Sequence, residues 1–303
     1  MTNNILLIDI DSKIPNLALM KISAFHKSIG DNVSFNNTDN PDIVYASVIF
    51  KKNKHMVDGL QFFYPNSELH IGGSGYDLSI KLPDEIEYIK PDYDLYPEMK
   101  YSIGYSTRGC NRSCGFCIVP RKEGKFKIWQ HPEEWYDKRF DSVTFLDNNI
   151  LLDKKWFAEV IIFCINHDLK IQFNQGIDIR LIEKEDIELL RKVKHLGLVG
   201  LAWDALDMEV MVIEKLNVFK ECGFNLRSEV QLFCYVDSNN QFDSGVYRAN
   251  KLKEMGTNAF VMFNQDSKKT KRITDLQRWA NRRWAFWGCS FDEFRRKDKS
   301  GLE

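Results

Sequence analysis

There is no cysteine in the first 109 residues of this sequence. That absence excludes a thiolate-held cluster or a disulfide framework in the N-terminal third. No apolar run is long enough to span a bilayer, so no transmembrane helix and no membrane partner are expected. The opening residues MTNNILLIDIDSK have no basic region ahead of their apolar run, and Asp9 and Asp11 break that run. They do not read as a secretory signal, and the expected location is cytoplasmic. Charge of one sign is missing too: 42 Lys and Arg stand against 43 Asp and Glu, for a net charge of −1. Any surface for nucleic acid must then be local. Internal repeats and low-complexity tracts are absent. What is there is ordinary globular composition, 44% hydrophobic over 303 residues, enough for one large α/β domain or two smaller ones.

The N-terminal part alternates strand and helix signals. ILLIDI is a short run of buried-strand type. IPNLALMKISAFHKSIG follows, with Pro15 at a helix start, an apolar stripe of Leu17, Met20, Ile22 and Phe25, and Gly30 where a helix ends. NVSFNN, DIVYASVIF and ELHIGG read as further strands. This βαβ rhythm predicts an open parallel sheet over residues 1–82. The proline- and acid-rich KLPDEIEYIKPDYDLYPEMKYS then predicts an extended linker over 83–100, its tyrosines packed on a surface. From 101 to 267 the strand candidates are SIGYSTR, SVTFLD, KIQFNQ, GLVGLAWD, EVQLFCYV and NAFVMFNQ. Helical stretches fit between most of them: KKWFAEVIIFCINHD, IEKEDIELLRKVK, LDMEVMVIEKLNVFKECG and SGVYRANKLKEMG. Such a series predicts a partial (β/α)6 barrel. Residues 268–303 read as a terminal helix and tail.

The cysteines concentrate in TRGCNRSCGFCIVPRKEGKF, just after the first strand of the predicted barrel. Cys110, Cys114 and Cys117 are spaced C-x3-C-x2-C. Thiolates are soft ligands that suit zinc or iron–sulfur clusters. A closed zinc site needs a fourth ligand. The nearest downstream histidine, His131, lies fourteen residues past Cys117, and Cys164, Cys222, Cys234 and Cys289 are scattered singly. Cys164 and Cys234 fall in apolar stretches and read as buried thiols. Three ligands with no evident fourth point to a metal centre with an open position, the mark of a catalytic site. A zinc site completed by a remote ligand is the alternative.

This spacing, with Phe116 directly ahead of the last cysteine, resembles the signature of the radical S-adenosylmethionine (radical SAM) superfamily. The wider RGCNRSCGFCIVPRKEGK is similar to the cluster loop of methylthiotransferases and of radical SAM enzymes with cobalamin-binding domains. The resemblance implies a full or partial (β/α) barrel and one 4Fe–4S cluster on Cys110, Cys114 and Cys117. It implies that S-adenosyl-L-methionine binds at the open iron. An external flavodoxin- or ferredoxin-like donor would supply the electron that cleaves it to a 5′-deoxyadenosyl radical, which takes hydrogen from a substrate. That substrate, a small molecule or a nucleic acid, is unidentified.

The resemblance also implies cofactor-binding positions. Phe116 belongs to the signature. Asp147, Asn148 and Asn149 match the strand end that binds the methionyl amino group, with oxygen acceptors in place of glycines. A cap on the next helix is the alternative. Asn174 and Gln175 are candidates for ribose hydroxyls or substrate, and Arg180 for the carboxylate. A turn at Gly176 and a surface ion pair are the alternatives. Asp204 reads as a helix cap first and a ribose or substrate contact second. Asn264 and Gln265 are candidates for adenine or substrate.

The N-terminal sheet resembles a flavodoxin-like, cobalamin-binding domain. The methylthiotransferases carry three cysteines there for a second cluster, and this sequence has none. The cobalamin pattern D-x-H-x-x-G is also missing: around His55, Asn53 and Asp58 stand where the aspartate and glycine belong. A scaffold domain is the preferred reading, with cobalamin as a further cofactor that the resemblance admits. Gly72, Gly73 and Gly75 mark either close approach to a cofactor or a turn. The C-terminal stretch from Lys268 to Lys299 interleaves Lys and Arg with Trp279, Trp284, Phe286 and Trp287. That mixture suits single-stranded nucleic acid, although a helix that docks its tryptophans is the preferred reading. The sequence thus predicts a radical SAM iron–sulfur enzyme of unidentified substrate. The alternatives are a methylthiotransferase-like enzyme that modifies tRNA or another nucleic acid, and a zinc-stabilised nucleic-acid-binding protein.

Overall fold

A parallel sheet opens the chain. Its strands are β1, Asn4–Asp9, β2, Asn32–Phe35, β3, Ile43–Ser47, and β4, Glu68–Gly72, in the order β2-β1-β3-β4. Ile5 faces both Val33 and Ile43 across the ladder. Ile5, Leu6 and Leu7 are fully buried. A central strand covered on both faces has no solvent side, which is why β1 is a continuous apolar run. Helix α1, Leu17–Ser28, connects β1 to β2, and the Asn16 side chain caps it by accepting from the Leu19 N–H at 3.2 Å. The computed structural model describes residues 2–238, 241–264 and 267–300, with side chains to Arg295. The protein is a mixed α/β protein with several parallel sheets. It divides into two compact units: Met1–Arg112 with Ile118–Val143, and Ser113–Cys117 with Thr144–Glu303.

Residues 83–100 belong to the first unit and are held on α1 and β1. Lys21 pairs with Glu87 at 3.2 Å, Ser23 and Lys27 each donate to Asp92 at 2.6 Å, and the Tyr96 hydroxyl donates to Asp9 at 2.7 Å. The chain is not extended there: a short helix, Asp84–Glu87, and a single turn, Tyr93–Leu95, interrupt it. Tyr93 is buried, and its hydroxyl donates to the Trp135 carbonyl at 2.8 Å. The strand expected over SIGYSTR is two, β5, Ser102–Gly104, and β6, Thr107–Arg108. β6 pairs antiparallel with β7, Lys127–Ile128, a strand the apolar pattern does not announce. This two-stranded ribbon joins the two ends of the segment that carries the cysteines.

The second unit is built on parallel strands. β8, Ser142–Phe145, within which the division falls, lies beside β9, Lys170–Phe173, and β9 beside the short β10, Lys194–His195. β11, Val199–Ala202, β12, Val230–Val236, and β13, Asn258–Phe263, form a three-stranded sheet in that order. A parallel bridge from Ile177 to Leu201 links the segment after β9 to β11. The helices stand where the periodicity places them: α2, Lys154–Asn166, α3, Lys184–Lys192, α4, Glu209–Glu221, and α5, Phe242–Glu254. In β12 alternate residues Val230, Leu232, Cys234 and Val236 are buried, while Phe233 and Tyr235 are half-buried on the other face.

The C-terminal stretch is three helices rather than one: α6, Lys271–Ala280, α7, Arg283–Gly288, and α8, Phe291–Ser300. Asn281 ends α6 because its side chain turns to β13, accepting from the Val261 N–H at 2.7 Å and donating to the Val261 carbonyl at 3.0 Å. Ser290 and Glu293 start α8 with reciprocal hydrogen bonds between side chain and backbone. Among the described residues no helix is long and apolar enough to cross a membrane.

Candidate functional site

The cysteine segment is fastened at its base within the first unit. Cys110 N–H donates to the Gly124 carbonyl at 3.2 Å, and Phe126 N–H donates to the Asn111 side chain at 3.2 Å. Arg112 N–H donates toward the Cys110 sulfur at 3.4 Å and so orients it. Arg108, at the head of the segment, pairs with Glu87 at 2.6 Å and Glu123 at 2.9 Å, and lies over the Tyr105 and Trp129 rings. Burial works against its charge, but Glu87 and Glu123 outweigh burial and hold the guanidinium above its ordinary pKa.

Cys114, Phe116 and Cys117 belong to the second unit. Cys117 N–H donates to the Cys114 carbonyl at 2.9 Å, closing a turn. Phe116 stacks on Tyr235, with ring centroids 4.0 Å apart and planes 24° from parallel. Tyr235 is near the C-terminal end of β12, so the turn that carries two cysteines sits at the carboxyl ends of this unit's strands. Ligands bind there in open α/β sheets and in βα barrels.

A polar network lies at the same strand ends. Arg180 grips Asp178 with two contacts, Nε to Oδ1 at 2.6 Å and Nη2 to Oδ2 at 3.0 Å. Asn149 donates to the same carboxylate at 3.1 Å. Burial opposes the charge on Arg180, but Asp178, then Cys114 and Asp204, raise its pKa. Burial lifts the Asp204 carboxyl above the usual carboxylate range, while Arg180, Arg248 and the Tyr235 N–H pull it back. Arg248 is fully buried. It donates to the Trp203 carbonyl and, at 2.9 Å, to the Tyr235 carbonyl, tying the ends of β11 and β12 together.

The sequence-predicted residues fall as follows. Asp147 and Asn149 are buried at the end of β8, with Asn148 half-buried between them. Helix α2 is capped by Asp153, which accepts from the Trp156 N–H at 3.0 Å, so Asp147 is not its cap. Asn174 leaves β9 with its N–H donated to the Phe145 carbonyl at 2.9 Å, and Gln175 is exposed. Arg180 forms an ion pair with Asp178, and that pair is largely buried rather than at the surface. The helix cap expected at Asp204 is not found: α4 follows Met208, four residues later. The backbone of Asn264 donates to the Val236 carbonyl at 3.1 Å, and Gln265 lies outside the described residues. Asp178, Arg248 and Tyr235 were missed. The pair Asp178-x-Arg180 is visible in sequence, but an arginine in an amphipathic helix and a tyrosine ending an apolar strand give no signal.

All seven cysteines are thiols rather than disulfides. Burial pushes Cys164 and Cys234 up to about 12, the behaviour of core thiols. Among the described residues no three His, Cys, Asp or Glu side chains are gathered as a metal site. The donor set is nevertheless chemically uniform, three sulfurs on one short loop, and fits an iron–sulfur cluster better than a hard cation. In the first unit Gly73, at φ +99°, leaves room for the Val48 carbonyl, which a Cβ would meet at 2.2 Å. Its close approach is thus to the chain's own backbone. No protein-family model matches the sequence, and no curated protein matches it significantly.

Proposed function

We propose that this chain is a radical SAM iron–sulfur enzyme with a single 4Fe–4S cluster. One observation carries the reading: the C-x3-C-x2-C segment places Phe116 on Tyr235, at the carboxyl end of a parallel strand and within electrostatic reach of Arg180. Cys110, Cys114 and Cys117 would hold the cluster. When bound, it supplies an open iron for S-adenosyl-L-methionine and the electron that cleaves its sulfonium to a 5′-deoxyadenosyl radical. The protein's part is to bind and orient. Asp147 and Asn149 offer oxygen acceptors to an ammonium at the end of β8. Arg180, held rigid by Asp178, presents cationic charge to a carboxylate. Asn148, Asn174 and Gln175 line the adjoining strand ends as donors and acceptors for ribose or substrate. An external flavodoxin- or ferredoxin-like protein supplies electrons, because the chain has no second cysteine cluster.

The first unit supports the same reading as a scaffold. Its strand order, β2-β1-β3-β4, is the beginning of the flavodoxin-like order. Close packing of Gly73 on Val48 favours a scaffold over a cobalamin cradle. The βα series of the second unit, linked at Ile177 and Leu201, is consistent with a partial barrel. The test is anaerobic reconstitution with iron and sulfide. The expected product is brown, holds about four iron and four sulfide per chain, and releases 5′-deoxyadenosine from S-adenosylmethionine on reduction. Cys110→Ala, Cys114→Ala and Cys117→Ala should each abolish both. Stoichiometric zinc without sulfide, or a complete cluster that never yields 5′-deoxyadenosine, overturns the reading.

A further inference from the structure

The cysteine segment carries a charge unlike that of the whole chain. Residues 107–128 hold six Lys and Arg and a single acid, Glu123, in a protein whose net charge is −1. Part of that charge is turned inward. Arg108 pairs with Glu87 at 2.6 Å and with Glu123 at 2.9 Å, and the Glu123 side chain is 9% exposed. Lys122 lies 4.0 Å from the same Glu123 carboxylate. Arg121, Lys125 and Lys127 are instead exposed on the first unit.

Local structure keeps these three close to Cys110. Arg121 sits on one helical turn, Val119–Lys122, and its N–H donates to the Ile118 carbonyl at 3.0 Å. Gly109, at φ +79°, passes so near Lys125 that a Cβ would meet the Lys125 carbonyl at 2.2 Å. Lys127 pairs with Arg108 across the ribbon of β6 and β7, and its ammonium lies 4.1 Å from the centre of the Trp129 ring. Two apolar side chains of the same segment are exposed as well, Ile118 at 40% and Ile128 at 46%. Apolar contacts with a charged rim make a protein-binding surface, and complementary charge selects the partner and speeds encounter.

We propose that Arg121, Lys125 and Lys127, with Ile118 and Ile128, form the docking surface for an acidic redox protein that reduces the cluster. This rests on the iron–sulfur reading above and adds to it where the donor binds and by what charge. Electron transfer falls off steeply with distance, so a donor has to dock close to the thiolates, and this surface belongs to the segment that bears them. One electron leaves the donor's reduced flavin or iron–sulfur centre and reduces the cluster; no bond forms or breaks in that step. A nucleic acid would also meet the charge, but Ile118 and Ile128 offer aliphatic contact to a protein rather than planar faces to bases.

The test has a binding arm and a reduction arm, both on the full chain. In the first, labelled acidic flavodoxin, labelled plant-type ferredoxin and labelled oligo(rU) are titrated with the unreconstituted chain and followed by fluorescence anisotropy. Binding of a donor protein should weaken as ionic strength rises from about 0.01 M to 0.15 M, over which the Debye length shrinks from about 30 Å to 8 Å. The joint variant Arg121→Glu, Lys125→Glu and Lys127→Glu should weaken it by about 10-fold or more at low salt. The corresponding joint Gln variant should fall between. All three side chains are exposed, so the variants keep the fold, which circular dichroism checks. In the second arm the reconstituted chain is reduced by the same donors or by dithionite, and bleaching of the cluster absorbance is timed. The Glu variant should bind as much iron and sulfide as the parent and reach the same endpoint with dithionite, yet accept electrons from the donor about 10-fold or more slowly. A chain that takes up no cluster defeats the iron–sulfur reading and this proposal with it. A cluster that dithionite reduces, in a chain that binds neither donor at low salt or binds them equally well in the Glu variant, overturns the docking surface alone. So does tighter binding of oligo(rU) than of either donor, lost in the same variant, which would assign the surface to nucleic acid.

Discussion

Phe116 lies face to face with Tyr235, with ring centroids 4.0 Å apart, and so ties the turn between Cys114 and Cys117 to the end of β12. Phe116 is 39% exposed, and this stack is a contact that holds its ring. An aromatic pair is worth about 0.5–1.5 kcal/mol beyond its buried area. Tyr235→Ala should therefore speed iodoacetamide labelling of Cys114 and Cys117 by about 2- to 10-fold. Tyr235→Phe should leave it unchanged. Equal labelling rates in the Ala variant and the parent protein would show that the stack does not hold the turn.

Asp204 gives a pH signature. Burial raises its pKa in the folded state, against the pull of Arg180 and Arg248. In the unfolded chain it titrates near the ordinary value of about 3.9. Between those two values the native state holds the extra proton, so this group's stabilising contribution is lost as pH rises through the window. Asp204→Asn removes the charged form. Its stability relative to the parent should climb from about pH 4 upward and then level off. Denaturant melts across that range measure it, and a difference that shrinks with pH counts against the assignment.

The grip of Arg180 on Asp178 should be visible as coupling. The Asp178 side chain is 6% exposed, so Arg180→Gln leaves a buried carboxylate without its counter-charge, although Asn149 still donates to it, and should cost about 1–3 kcal/mol. Asp178→Asn with Arg180→Gln should recover part of that loss. A double-mutant cycle on thermal or denaturant unfolding reads the coupling, expected at about 0.5–3 kcal/mol. Strict additivity would place the two residues in separate roles.

Gly176 controls how β9 hands over to β11. Its φ is +79°, and a Cβ there would come within 2.7 Å of the Phe233 ring. The next residue, Ile177, donates its N–H to the Gly200 carbonyl at 2.8 Å. Gly176→Ala combines backbone strain with overpacking and should cost about 2–4 kcal/mol. A fall in Tm of several degrees is expected. Phe233→Leu in the same chain should recover part of it by clearing the ring.

Much of the second unit is legible in sequence because its signals are local. The apolar periods of β8, β9, β11, β12 and β13, and of α2 to α5, are each set within a dozen residues or so, and each element stands at its expected place. β10, β7 and the break in the C-terminal helices are not legible. Two-residue strands have no period to detect, and α6 stops at Asn281 only because Val261 of a distant strand takes its side chain. The cysteine spacing, the missing N-terminal thiols and the chemistry open to three sulfur donors are decided by the sequence alone, since they depend on identity and order. Which polar side chains share the strand ends with the cysteine turn is decided by tertiary structure. Arg248 carries no mark of function in order or composition, Asp178 is marked only by its spacing from Arg180, and Asp204 reads first as a helix cap. They meet only because β11 and β12 are parallel neighbours and α5 buries Arg248 against both, and the same folding leaves Trp284 in solvent while its neighbours fill the core.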